Sequence, residues 1–161
     1  MRKSEEILKK VEEGKEGMEE KKVQMVAFSL ATEFYILDVQ YVREILNMTG
    51  ITHVPRTPEF ILGVIDLRGD IISVIDIRKI LGLEVECLKG SRRIIIVEVD
   101  TEVLGITVDS VIDVMEIEIA NIQPPLLTIE KGKKDYIDGE IEISGRLFNV
   151  LNIKNIIASI T

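Results

Sequence analysis

An internal repeat limits this chain's possible folds more than any other feature. At an ungapped offset of 76, residues 60–81 (FILGVIDLRGDIISVIDIRKIL) lie over residues 136–157 (YIDGEIEISGRLFNVLNIKNII), and seven of the 22 positions are identical. Among them are two glycine pairs, Gly63/Gly139 and Gly69/Gly145. At an offset of 69, residues 26–46 lie over residues 95–115, placing Thr32-Glu33 on Thr101-Glu102 and Val39 and Val42 on Val108 and Val111. The two alignments are collinear, and a longer loop around Gln123–Asp135 accounts for the difference in offset. Collinear self-similarity that keeps its turn glycines points to duplication of one folding unit.

The duplicated unit reads as β. Val23–Leu30 and Phe34–Val39 predict two strands joined tightly at Ala31-Thr32-Glu33, and Phe60–Leu67 and Asp70–Ile77 predict two more across Arg68-Gly69. The spacing of Val39, Val42, Ile45 and Leu46 predicts a turn or short helix. His53-Val54-Pro55 with Pro58 predicts a loop, and Arg78–Gly82 a helical turn closed by glycine. The 27 Ile and 16 Val residues agree, because β-branched side chains pack well on a pleated surface. The expected architecture is mainly β: two five-stranded barrels sharing a hydrophobic core, with approximate repeats 23–88 and 89–161. Each unit of about 70 residues is marginal alone, which favours a fused pair. Residues 1–22 are charged throughout and form a separate extension, partly helical or mobile.

Composition excludes several functions. A net charge of −8 disfavours nucleic acid and anionic membranes, since both attract Lys and Arg. No apolar run nears the roughly 20 residues of a spanning helix, and the N-terminus lacks a signal peptide's apolar stretch. The expected compartment is the cytoplasm. Cys87 cannot pair within the chain, and His53 is the only histidine. The sequence has no metal-ligand cluster, no P-loop, no G-x-G-x-x-G and no Asp-[Thr/Ser]-Gly, so no catalytic set, metal or cofactor is expected. Asp and Glu mostly alternate with apolar residues, as on a solvated sheet face.

What remains is a surface. Arg68 stands where the second repeat has Ser144. Two readings of Arg68 are open: a turn arginine paired with Asp66 or Asp70, or an anchor at an interface, where arginine is enriched.

The segment from Val54 to Gly69, followed by Ile72–Arg78, resembles the CheW family of chemotaxis coupling proteins. Val42-Arg43-Glu44-Ile45 resembles that family's V-x-E-I element. Val103–Val114 resembles its G-x-x-V-D-x-V-x-x-V stretch, and Tyr136–Gly139 with Leu151-Asn152-Ile153 its C-terminal strands. The resemblance spans about residues 23–158, with Asp66 and Ser73 where many members carry Asn and Pro. It implies two SH3-like five-stranded barrels and short helices, one near the C-terminus. It also implies a non-catalytic adaptor between the regulatory domain of the histidine kinase CheA and the cytoplasmic tips of chemoreceptors, recruited to membrane receptor arrays. Carried over by position, Val42, Glu44 and Gly63 match positions associated with receptor coupling, and Arg68 the arginine needed for coupling. Gly105, Val111 and Val114 match second-barrel contact positions. Gly69, Gly139 and Gly145 read as turn or structural glycines. A coupling protein of a non-motility chemosensory pathway, or a small-ligand barrel using the crevice between units, are the alternatives.

Overall fold

The computed structural model describes residues 21–84, 92–125 and 134–161; the expected N-terminal helix and Cys87 lie outside them. Ten strands form two sheets of five. In chain order they are β1 (Lys22–Leu30), β2 (Glu33–Asp38), β3 (Val42–Asn47), β4 (Ile61–Leu67), β5 (Asp70–Ile75), β6 (Arg93–Val99), β7 (Glu102–Val108), β8 (Ser110–Glu118), β9 (Ile137–Ile143) and β10 (Arg146–Leu151). Two helices follow the hairpins of the repeat, α1 (Ile77–Ile80) and α2 (Ile153–Ile160), capped by Asp76 and Asn152. The predicted turn or helix at Val39–Leu46 resolves differently. Only Val39–Tyr41 is a 3-10 turn, and Val42–Asn47 is a strand, because its β-branched and apolar residues gain a full partner in β6.

The repeat leaves open which strands the two barrels exchange, and the sheet order supplies the answer. One sheet runs β3-β6-β7-β5-β4, the other β8-β1-β2-β10-β9. The first, here the contiguous barrel, takes three strands from the first half and two from the second. The other, the terminal barrel, joins the chain's first two strands to its last three. Four pairings unite strands from different halves: the antiparallel pairs β3·β6 and β1·β8, and the two parallel pairs that include Val74↔Gly105 and Phe148↔Phe34. The repeat survives in the register. Val42↔Val97 and Glu44↔Ile96 flank a bulge in β3, while Val111↔Phe28 and Asp113↔Ala27 flank the same bulge in β8.

Three apolar cores follow from strand alternation. Ile65, Ile72, Val74, Ile94 and Ile96 fill the contiguous barrel, and Met25, Ala27, Ile36, Ile117, Ile141, Phe148 and Val150 fill the terminal one. The opposite faces of the same strands meet between the barrels, where Phe28, Tyr35, Ile95, Val97, Ile106 and Val108 pack with the helix residues Ile77, Leu81, Ile153, Ile156 and Ile157. Central strands buried on both faces read as continuous apolar runs such as Ile94–Val97, and this explains the isoleucine excess. The shared core is the expected one, and it makes the two barrels one folded unit.

Candidate partner-binding site

The Arg68 hairpin is built by its turn. Leu67 pairs with Asp70 across two residues, and both Arg68 (φ 52°) and Gly69 (φ 91°) are left-handed. Two positive φ angles match the right-handed twist of the flanking strands in a two-residue hairpin. Ser144 (φ 52°) and Gly145 (φ 78°) repeat this geometry between β9 and β10. Gly69 and Gly145 are therefore turn glycines. The Asp66 carboxylate accepts the Gly69 N–H at 2.9 Å and fixes the tip.

Neither Asp66 nor Asp70 pairs with the arginine. Arg68 Nη2 donates instead to Glu44 Oε2 on β3. Arg68 is 72% exposed and Glu44 only 23%, so a partly sheltered carboxylate orients a guanidinium that still faces solvent. β3 and β4 are the two edges of the contiguous barrel, so this pair crosses the barrel's open seam. Beside it Ile71, on the same hairpin, is 68% exposed and Ile45 on β3 is 38% exposed.

Gly63 and Gly139 have a different role, in closing the seams. Thr52 and Val64 exchange backbone hydrogen bonds at 2.9 Å beside Gly63, and Gln123 and Glu140 do so at 2.8 and 2.9 Å beside Gly139. A Cβ on Gly63 would stand 2.2 Å from the Thr52 carbonyl oxygen, and one on Gly139 2.5 Å from that of Gln123. Each glycine admits the segment that bridges the two edge strands. Gly63 is buried, so it closes the barrel and offers no contact surface of its own.

The other expected positions divide. Val42 and Val111 are half-buried against the central core, and Val114 is half-exposed on β8. Gly105 does not join Val111 and Val114 in a second barrel. Strand exchange places it in β7 of Arg68's own sheet, buried, where an added Cβ would meet Ile94 Cγ2 at 2.9 Å. Val42, Glu44, Gly63, Arg68 and Gly105 thus share one barrel, and Val111 and Val114 belong to the other.

A buried charge cluster escapes the sequence reading, in which alternating Asp and Glu marked solvated faces. Arg78 Nε and Nη2 donate to both carboxylate oxygens of Asp76, at 3.0 and 2.9 Å, and Nη1 donates to Asp109 at 3.0 Å. All three side chains are 2–3% exposed. Asp109 also accepts the Ala31 N–H at 2.5 Å, so the cluster ties the β1–β2 turn of the terminal barrel to α1 of the contiguous one. The signal lay in the repeat: Arg78 aligns with Lys154, but Asp76 and Asp109 align with the neutral Asn152 and Gln40, so the carboxylates are kept on one side only. Tyr35 is also fully buried and donates to Glu33 Oε2 at 2.5 Å; burial, then that carboxylate, raises its phenol far above the ordinary range.

No group of three or more metal-ligating side chains occurs among the described residues, and no described helix is long and apolar enough to cross a membrane. Two fused SH3-like barrels, with an exposed arginine pinned at a seam and apolar residues beside it, define a protein-binding module. The CheW-like domain family matches residues 24–161, and the chain belongs to that family, whose members are non-catalytic scaffolding and adaptor proteins. Similar proteins include the chemotaxis protein CheW of Thermotoga maritima, 33% identical over 88% of this chain and 91% of that protein. The CheW of Bacillus subtilis is 33% identical over 80% of this chain and 82% of its own length. Among solved structures, the scaffolding protein TtCheW from Thermoanaerobacter tengcongensis has a TM-score of 0.74 and 37% identity, covering 81% of this chain and 84% of that one.

Proposed function

We propose that this protein couples the cytoplasmic tips of chemoreceptors to the regulatory domain of the histidine kinase CheA, acting in the cytoplasm at membrane receptor arrays. The observation that carries the reading is Arg68, held by Glu44 across the barrel seam yet 72% exposed beside Ile71. An arginine fixed by one carboxylate loses little rotamer freedom on binding, and an exposed apolar neighbour supplies area to bury. Val42, Glu44 and Arg68 form the contact region on the contiguous barrel, and Val111 and Val114 a second region on the terminal barrel. Gly63 and Gly105 keep the first region in shape from within.

An adaptor of this kind performs no chemistry. It shifts kinase activity only by binding kinase and receptor states with different affinity. Two separate surfaces on one rigid body let several weak contacts act together through high effective concentration. The test is to mix the full chain with kinase regulatory domain and receptor signalling fragments, measuring ternary-complex formation and kinase activity. Receptor control of the kinase is the expected result, and binding to neither partner refutes the proposal.

A further inference from the structure

The terminal barrel has an open seam of its own, and it differs from the one Arg68 spans. Its edges are β8 and β9, bridged only at Gln123↔Glu140 among the described residues. Beyond that bridge a cleft of about 550 Å³ lies between them, reaching as far as Ser144.

Backbone directions along both edges follow from strand alternation. Glu140 exchanges both hydrogen bonds with Gln123, so its N–H and C=O face the seam, and those of Glu142, two residues on, face the same way. On β8 the Ile119 N–H donates to Lys21 of the β1 side, so Ile117 also faces β1, and Glu116 and Glu118 present their backbone groups to the seam. No described residue pairs with the seam-facing backbone of Glu116 or Glu142, and Glu118, whose C=O opens the 3-10 turn Ile119–Asn121, keeps its N–H toward the seam. The side chains alternate correspondingly. Ile117 and Ile141 point into the barrel core, while Glu116 and Glu142 are exposed on the outer face with Glu118 half-buried beside them. One cation, Lys22, stands 3.7 Å from Glu116 against these three carboxylates.

We propose that this seam takes a short extended segment of a partner by strand addition, and that the segment alternates apolar residues with Lys or Arg. Its backbone would pair with Glu116 and the Glu118 N–H on one side and Glu142 on the other. Its apolar side chains would fall beside Ile117 and Ile141, and its cations between the carboxylates. The glutamates also disfavour a second copy of this chain: pairing two such edges in the register that joins their seam-facing residues sets glutamate against glutamate, which is unfavourable across strands. The proposal does not rest on Arg68 or on the kinase and receptor reading.

The probe is a synthetic Lys-Val-Lys-Val-Lys-Val peptide titrated into the full chain, followed by fluorescence anisotropy and amide hydrogen exchange. Expected are saturable binding, slowed exchange at Glu116, Glu118 and Glu142, and affinity reduced about tenfold or more in the triple variant E116Q/E118Q/E142Q, with Arg68→Glu unaffected. A peptide N-methylated at alternate residues keeps its charges but loses half its backbone donors, and it is expected not to bind. Equal binding of the N-methylated peptide, absence of binding by the parent peptide, or protection confined to other strands overturns the proposal.

Discussion

The contiguous barrel carries Arg68 and Glu44 across its seam, whereas the equivalent positions of the terminal barrel are Ser144 and Asp113. The two barrels otherwise agree closely: the same strand order, the same bulge beside the same strand, the same left-handed turn and the same glycine admitting the bridging segment. Asp113, freed of an arginine, turns its carboxylate to its own strand and accepts the Val114 N–H at 2.8 Å. A second asymmetry lies after the hairpins. Asp76 and Arg78 join Asp109 in a buried cluster, while Asn152 bonds Asp138 and the Asn155 N–H, and the Lys154 ammonium sits 5.6 Å from the centre of the Tyr41 ring. Duplication thus kept the backbone solution in both copies and let the charges diverge. The charges are where the copies became different surfaces.

The contrast breaks most sharply at the buried cluster. Arg78→Met removes the cation that Asp76 and Asp109 share, leaving Asp109 the longer contact to Arg92 at 3.9 Å, and should cost about 3–5 kcal/mol. Lys154→Met at the equivalent exposed site should cost less than about 1 kcal/mol. Urea unfolding of the two variants measures the difference, and equal costs would show that the cluster is not what sets the copies apart. Next come the glycines. Gly63→Ala drives a Cβ against the Thr52 carbonyl and adds strain at φ 147°, for a loss on the order of 2–4 kcal/mol. Gly139→Ala meets the contact without the unusual φ and should lose less, a ranking that thermal unfolding checks.

Arg68→Glu sharpens the comparison at the surface. Receptor control of kinase activity should disappear while unfolding free energy moves by no more than about 1 kcal/mol, because the Arg68 side chain is largely exposed. Ser144→Glu, on the other barrel, should leave that control intact. The smallest effect concerns Tyr35, whose counterpart is Leu104. A phenol raised in the folded state contributes stability that is fully present below its unfolded pKa of about 10 and is lost as pH rises above that value. Tyr35→Phe should flatten the alkaline decline in stability above pH ~10, measured by denaturant midpoints across that range.

How much of this could be read in advance depends on whether the cause was local. The hairpins, the turn glycines and the helical turn after Asp76 were legible because alternation and left-handed φ are properties of a few adjacent residues. The strand at Val42–Asn47 was not: its apolar spacing also fits one helical face, and only β6 decides the matter. The pairing of Arg68 with Glu44, 24 residues away, likewise depends on a bulge in β3 that carries no sequence signature of its own. Asp76 and Asp109 share the alternation of a solvated sheet face, and only strand exchange, which brings the β1–β2 turn over them, buries them with Arg78. Gly105 was assigned to the wrong barrel for the same reason, since a repeat shows what was copied and not which strands the copies traded.

Strand exchange also sets an order of assembly. Residues 42–108 hold every strand of the contiguous barrel, so all its pairing partners are present once they leave the ribosome. β1 and β2 emerge earlier but must wait for β8, β9 and β10; the Asn149 side chain that bonds the Phe34 carbonyl arrives 115 residues later. Loops of that span close slowly. During synthesis the first two strands are therefore a hairpin without its outer partners β8 and β10, and their apolar faces are the part of the nascent chain most in need of a chaperone.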